Sequence, residues 1–207
     1  VAEKDFSSVM QTLPVPWRHC IGLLQNELLP RNWQSYPIDD PTIISVWFEK
    51  KKGQDSKVII PSPAHGPRAK LLARALGTLD IPVKRVKRAR DMRFELVVKN
   101  LYILTSNIAG LRTGSTVAEL WAEHQPFARA VANEVIALQE GLTWANFDND
   151  DLIAAMVEAF EGDPDHRCMG RSAPARLARA LQHADRLEIS LPTLREIAAA
   201  QTPQGAG

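Results

Sequence analysis

Read for the alternation of apolar and polar positions, the chain changes character near residue 90. Before it, short apolar runs alternate with turn-forming residues; after it, apolar positions recur at intervals of three and four. The first part opens on Val1–Pro16, the end of a strand followed by a short helix over Asp5–Thr12. Pro14 and Pro16 stop that helix, and Asp5 is placed as its N-cap. Cys20–Gln25 (CIGLLQ) fits a buried strand. Thr42–Phe48 (TIISVWF) has the β-branched and aromatic content of another. Lys50–Asp55, with Gly53, is a turn, and Lys57–Ile60 returns as a strand. Pro61–Pro67 reads as a proline-rich loop, Ala69–Leu76 as an amphipathic helix, and Ile81–Val86 as a last strand.

Only helices are expected beyond a basic connector over Lys84–Arg93. Phe94–Gly110 is apolar nearly all round, which implies a buried helix. Val117–Leu138 keeps one apolar face and is ended by Gly141. Asn149 or Asp150 caps a helix over Leu152–Phe160, and Gly162–Ala175 is an irregular loop. Leu177–Leu187 and Thr193–Ala200, the latter opened by Pro192, complete the set, and Gln201–Gly207 reads as a disordered tail. The order predicts an α/β unit over residues 1–92 followed by an all-α unit over 93–200, with no strand of five or more residues after Phe94.

The buried helix carries the candidate chemistry. Lys99, Asn100 and Asn107 sit inside FELVVKNLYILTSNIAG. A buried lysine is costly without a partner or a task, and desolvation lowers the pKa of an amine toward the range useful in proton transfer. Asn100 and Asn107, seven apart, share nearly one helical stripe. Two readings stand: an ammonium and two amides facing a polar cleft, or a lysine that snorkels to solvent with amides at the helix end.

Composition narrows the class. Apolar residues are 45% and charged residues 24%, with a formal net charge of +1, so neither nucleic acid nor an anionic membrane is called for. The basic connector lacks interleaved aromatics to stack bases, and Lys50–Lys52 reads as a solvated turn. Cys20 and Cys168 match no metal or redox spacing, and the five histidines are scattered, so no metal site is expected. No G-x-S-x-G elbow supports hydrolysis. A soluble, cytoplasmic protein is expected.

Lys99 followed by Asn107 and then by small and apolar residues resembles the ketopantoate reductase signature, at the opening of a 6-phosphogluconate dehydrogenase C-terminal-like helical domain. LLQNE is similar to the family's Gln-Asn-Gly turn after a buried strand, with Asn26 at the asparagine and Glu27 in place of the glycine. EKDF sets Lys4 where the family's cofactor-contacting lysine falls. The resemblance implies that residues 1–92 are the second half of a Rossmann-like cofactor domain and 93–200 its helical partner. It implies a homodimeric NADP-dependent reductase of a 2-oxo acid. Lys99 would be the general acid, Asn107, Asn100, Asn26 and Ser172 the substrate-binding residues, and Lys4 and Asn26 the cofactor contacts. The family's intermediate asparagine is here Ile103, and its late glutamate is missing, since His166–Ala184 holds no acid; Ser172 falls near that place. No G-x-G-x-x-G occurs. A fragment of a longer enzyme, poor dinucleotide binding and self-association through an open sheet edge are therefore expected. The alternative is a non-catalytic binding or assembly module of the same fold.

Overall fold

The computed structural model describes residues 5–50, 53 and 55–201. They form an α/β unit followed by an all-α region, the expected order of classes. The chain divides into two compact units, Val1–Lys99 and Asn100–Gly207, with the boundary inside one helix. Among the described residues, β pairing after Phe94 is limited to an isolated bridge between Thr116 and Arg167.

In the first unit, helix α1 (Phe6–Thr12) follows Asp5, whose side chain makes no cap bond; Ser8 Oγ donates to the Asp5 carbonyl at 3.0 Å instead. Strands β1 (Gly22–Leu23) and β2 (Thr42–Ile44) pair in parallel. The stretch expected as one strand to Phe48 breaks at Ser45. Phe48–Glu49 (β3) and Lys57–Val58 (β4) form a separate antiparallel ribbon. Just before β3, Trp47 turns wholly inward, 0% exposed, and its backbone N–H donates to Ser62 Oγ at 2.9 Å.

The proline-rich loop is in fact an inner strand, β5 (Ser62–His65), antiparallel to β2 and parallel to β6 (Val83–Arg85); the sheet order is β1-β2-β5-β6. Pro63 misleads because proline cannot donate to a ladder. Its carbonyl accepts from Ser45 N at 2.9 Å, the return bond cannot form, and β2 stops at Ile44. Toward β6 the ladder is intact: Ser62 N donates to Pro82 O at 3.1 Å and Val86 N to Ala64 O at 2.8 Å. Helix α2 (Ala69–Gly77) then covers Ile44 and Ala64 with Ala69, Leu72 and Leu76.

Helix α3 runs Ala89–Thr113, so the end of the basic connector is already helical. Arg88 donates to Asp91 in its first turn at 2.6 Å, which holds the Asp91 carboxyl below its usual range. Among the all-α elements, the single helix expected from Val117 is two, α4 (Val117–Glu123) and α5 (Gln125–Thr143). Pro126 has no N–H for the Ala122 carbonyl, so the ladder breaks at His124. Gly141 does not end α5, which stops at Trp144 in the left-handed region (φ 52°). Gly141 instead admits a neighbour: a Cβ there would lie 2.6 Å from Ile189 Cδ1. Asp148 caps α6 (Asn149–Gly162), bonding the N–H groups of Asp150 and Asp151 at 2.9 and 3.0 Å. Helix α7 is Ala173–Leu187, and α8 is Pro192–Gln201. The Glu134 carboxylate from α5 takes the first free N–H groups of α8, those of Thr193 and Leu194, at 2.7 and 2.9 Å.

The segment before α7 lies on the end of α3. Cys168 N donates to Ser115 O at 2.9 Å and Met169 N to Ser106 O at 3.3 Å. Gly110 permits this approach, because a Cβ there would collide with Met169 N and sit 2.6 Å from the Cys168 carbonyl carbon. Gly110→Ala should therefore destabilise the protein by about 1–3 kcal/mol, outweighing its gain in helix propensity; urea midpoints read the change. Helix α4 opens on a capping box, with Thr116 N donating to Glu119 Oε2 at 2.8 Å and Glu119 N to Thr116 Oγ1 at 3.2 Å. The Thr116 N–H holds the Glu119 carboxyl below its usual range. A depressed carboxyl contributes stability above its unfolded pKa and loses it as pH falls through the folded one. The stability difference between the native protein and Glu119→Gln should thus be largest near neutrality and shrink in acid, as denaturation at about pH 7 and pH 3 would show.

Candidate functional site

Lys99 lies half-buried on α3, and its Nζ sits 3.8 Å from the centroid of the Trp47 ring. A desolvated cation over an indole face gains roughly 1–2 kcal/mol. The backbone of Trp47 is tied to the Ser62 hydroxyl, so the ring is a fixed platform. One turn earlier Glu95 accepts from Lys84 at 2.9 Å. Neither sequence reading included an aromatic partner for Lys99, because TIISVWF assigned Trp47 to a strand.

Asn26 is exposed in the turn after β1. Glu27 adopts φ 56° at the position where the resemblance expects glycine, so the left-handed turn is kept without it. Asn26 lines a polar cleft of about 360 Å³ with Ser7, Arg31, Asn32 and Tyr36. Tyr36 donates to Ser7 at 2.8 Å, and Asn32 Oδ1 accepts from Leu29 N at 2.7 Å, so both walls are braced. Lys99 does not line this cleft. A smaller cleft of about 150 Å³ opens between Trp33, Asp40, His65, Arg93 and Leu96. His65 Nδ1 faces the Val86 carbonyl at 2.9 Å and therefore carries the proton. Lys4 lies outside the described residues.

In the helical unit Asn100 is buried and donates to Gln139 Oε1 at 2.9 Å. Asn107 is also buried, and its Oδ1 accepts from Arg176 Nη1 at 2.9 Å and Gly170 N at 3.4 Å. Ser172 is exposed ahead of α7 and makes no side-chain cap bond. His166 faces Asp163 at 3.7 Å, an acid just before the acid-free stretch. Burial pushes the Cys168 thiol up to about 11, which removes it as a nucleophile near neutrality. Arg176 was missed in sequence as one more charge in SAPARLARAL. Among the described residues no cluster of His, Cys, Asp and Glu could hold a metal ion, and no helix is long and apolar enough to cross a membrane.

The structure superimposes on a dimeric ketopantoate reductase from Staphylococcus aureus with a TM-score of 0.63 and 18% identity, over 97% of this chain and 73% of that one. The chain has a ketopantoate reductase-like fold. A ketopantoate reductase from Ralstonia eutropha gives a TM-score of 0.66 at 16% identity, over 97% of this chain and 72% of the other. D-mandelate dehydrogenase, solved with NADH, gives 0.64 at 12%, over 96% and 74%. A scan against protein-family models finds no match, and neither does a comparison with curated proteins. At such identities the likeness carries the fold, and the site rests on the geometry above.

The Lys99–Trp47 contact can be measured directly. A double-mutant cycle of Lys99→Met and Trp47→Leu should give a coupling of about 1–2 kcal/mol in unfolding free energy. A coupling within error of zero would remove the ring as the partner of the amine.

Proposed function

We propose that the chain serves a small-molecule oxidoreductase that reduces a 2-oxo acid, in the manner of the 2-dehydropantoate 2-reductases it resembles in fold. The observation that supports this most directly is Lys99 itself, an amine held at 3.8 Å over a buried ring on the long helix of that fold. Lys99 delivers a proton to the keto oxygen, while Asn107 and Asn26 orient the substrate. Asn100, through Gln139, stiffens the helix beside it. Ser172, exposed ahead of α7, is available to a ligand carboxylate or hydroxyl. A homodimer in the cytoplasm is the matching assembly and place, after the dimeric enzyme of similar fold.

NADP is the hydride source that this reaction class implies. The described residues do not fit its pyrophosphate. A dinucleotide cradle needs a glycine-rich strand-to-helix turn with open backbone N–H groups. At the turn from β5 into α2 the glycine, Gly66 (φ 109°), is pressed on backbone: a Cβ would lie 2.7 Å from Pro41 O and 2.8 Å from Thr42 Cα. The turn from β6 into α3 has no glycine.

A second reading, a non-catalytic binding module, is favoured by one observation. The Asn100 amide and the Asn107 oxygen are both committed to protein partners. Lys99→Ala separates the two. Under the enzymatic reading it should lower NADPH-dependent reduction of 2-oxo acids by about a hundredfold or more, with the fold retained by circular dichroism. Turnover unchanged by the substitution would favour the binding module.

A further inference from the structure

The Asn107 amide cannot take either orientation. Two N–H donors converge on its Oδ1, the Arg176 guanidinium at 2.9 Å and the Gly170 backbone at 3.4 Å. Rotating the amide by half a turn would set its NH2 group against both donors, one of them charged. The oxygen is thus fixed on the protein side and Nδ2 on the other. Asn107 is 8% exposed, and its Nδ2 has no hydrogen-bond partner among the described residues. Nor does Nδ2 belong with the fully sealed polar atoms that lack a partner. A nearly buried amide that keeps one donor open is costly unless something accepts from it.

Gly170 completes the clamp. A Cβ at this residue would stand 3.4 Å from Asn107 Oδ1, in ordinary contact with the oxygen that its N–H approaches. Met169 N, bonded to Ser106 O at 3.3 Å, fixes the same segment one residue earlier. Arg176 comes from the first turn of α7, close behind Ser172.

We propose that Arg176 is a positioning residue that sets the polarity of Asn107, so that Asn107 offers a ligand an N–H donor and takes only an acceptor oxygen, a carboxylate or keto oxygen. This rests on the reading of Asn107 as a substrate residue and deepens it. The sequence showed the asparagine but could not show which end of its amide is presented.

The test is a titration of the 15N-labelled protein with sodium 2-oxobutyrate, followed on the side-chain amide pair of Asn107 and assigned by its loss in Asn107→Ser. A saturable shift of that pair is expected in the unaltered protein and in Arg176→Lys, with binding weakened about tenfold or more in Arg176→Met at an unchanged circular dichroism spectrum. Full-strength binding by Arg176→Met, or no shift at Asn107 in the unaltered protein, would overturn the inference. The proposed activity is judged separately. Turnover that depends on Lys99 but not on Arg176 removes the positioning role alone. A saturable Asn107 shift in a protein whose turnover is unchanged by Lys99→Ala removes the reductase reading and leaves the amide assignment standing.

Discussion

The contact between the Lys99 amine and the Trp47 ring is the constraint around which the first unit is built. A charged group on a helix as apolar as Phe94–Gly110 must recover part of its lost hydration. Part of that recovery comes from the π face of Trp47, 3.8 Å from the amine. Trp47 reaches that place only because β2 stops at Ile44, and β2 stops there because Pro63 cannot return the Ser45 hydrogen bond. One missing N–H thus sets the position of the ring.

The same logic runs down the rest of α3. Its polar residues point into protein, and each needs a partner. Asn100 finds Gln139, Ser106 bonds back to the Tyr102 carbonyl at 2.7 Å, and Asn107 takes Arg176. Thr105 is an exception: its hydroxyl is buried without a hydrogen-bond partner among the described residues, and nothing in the structure explains it. Small residues accompany these contacts. Gly110 lets the Cys168–Met169 backbone reach the helix, so the loop before α7 is held by α3 as well as by its own hydrogen bonds.

Much of the fold was legible because periodicity reports burial. The switch from short apolar runs to a three-and-four repeat near residue 90 marks the true change from sheet to helix. What failed were positions where one residue has two physical uses. Pro63 was read as a loop former, yet its carbonyl still serves the ladder in β5. Gly141 was read as a helix stop, yet it makes room for Ile189. Pro126 was passed over inside an apolar repeat that continued across it, although a missing donor breaks the helix there. The cost of burying Lys99 was visible in sequence, but its partner was not. Trp47 is far away in the chain and carried no local sign of its role.

The polarity of an amide is a still finer property, invisible to sequence because it depends on what faces each end. Asn107 and Arg176 are 69 residues apart, and only the tertiary fold brings them within 2.9 Å. That pairing also changes how the absent late glutamate is to be understood. An acid brought close to Arg176 would compete for the guanidinium and release the Asn107 oxygen. With no acid from His166 to Ala184, the nearest in sequence being Asp165 and Asp185, the latter joined to Arg195, no carboxylate within that stretch can draw Arg176 away.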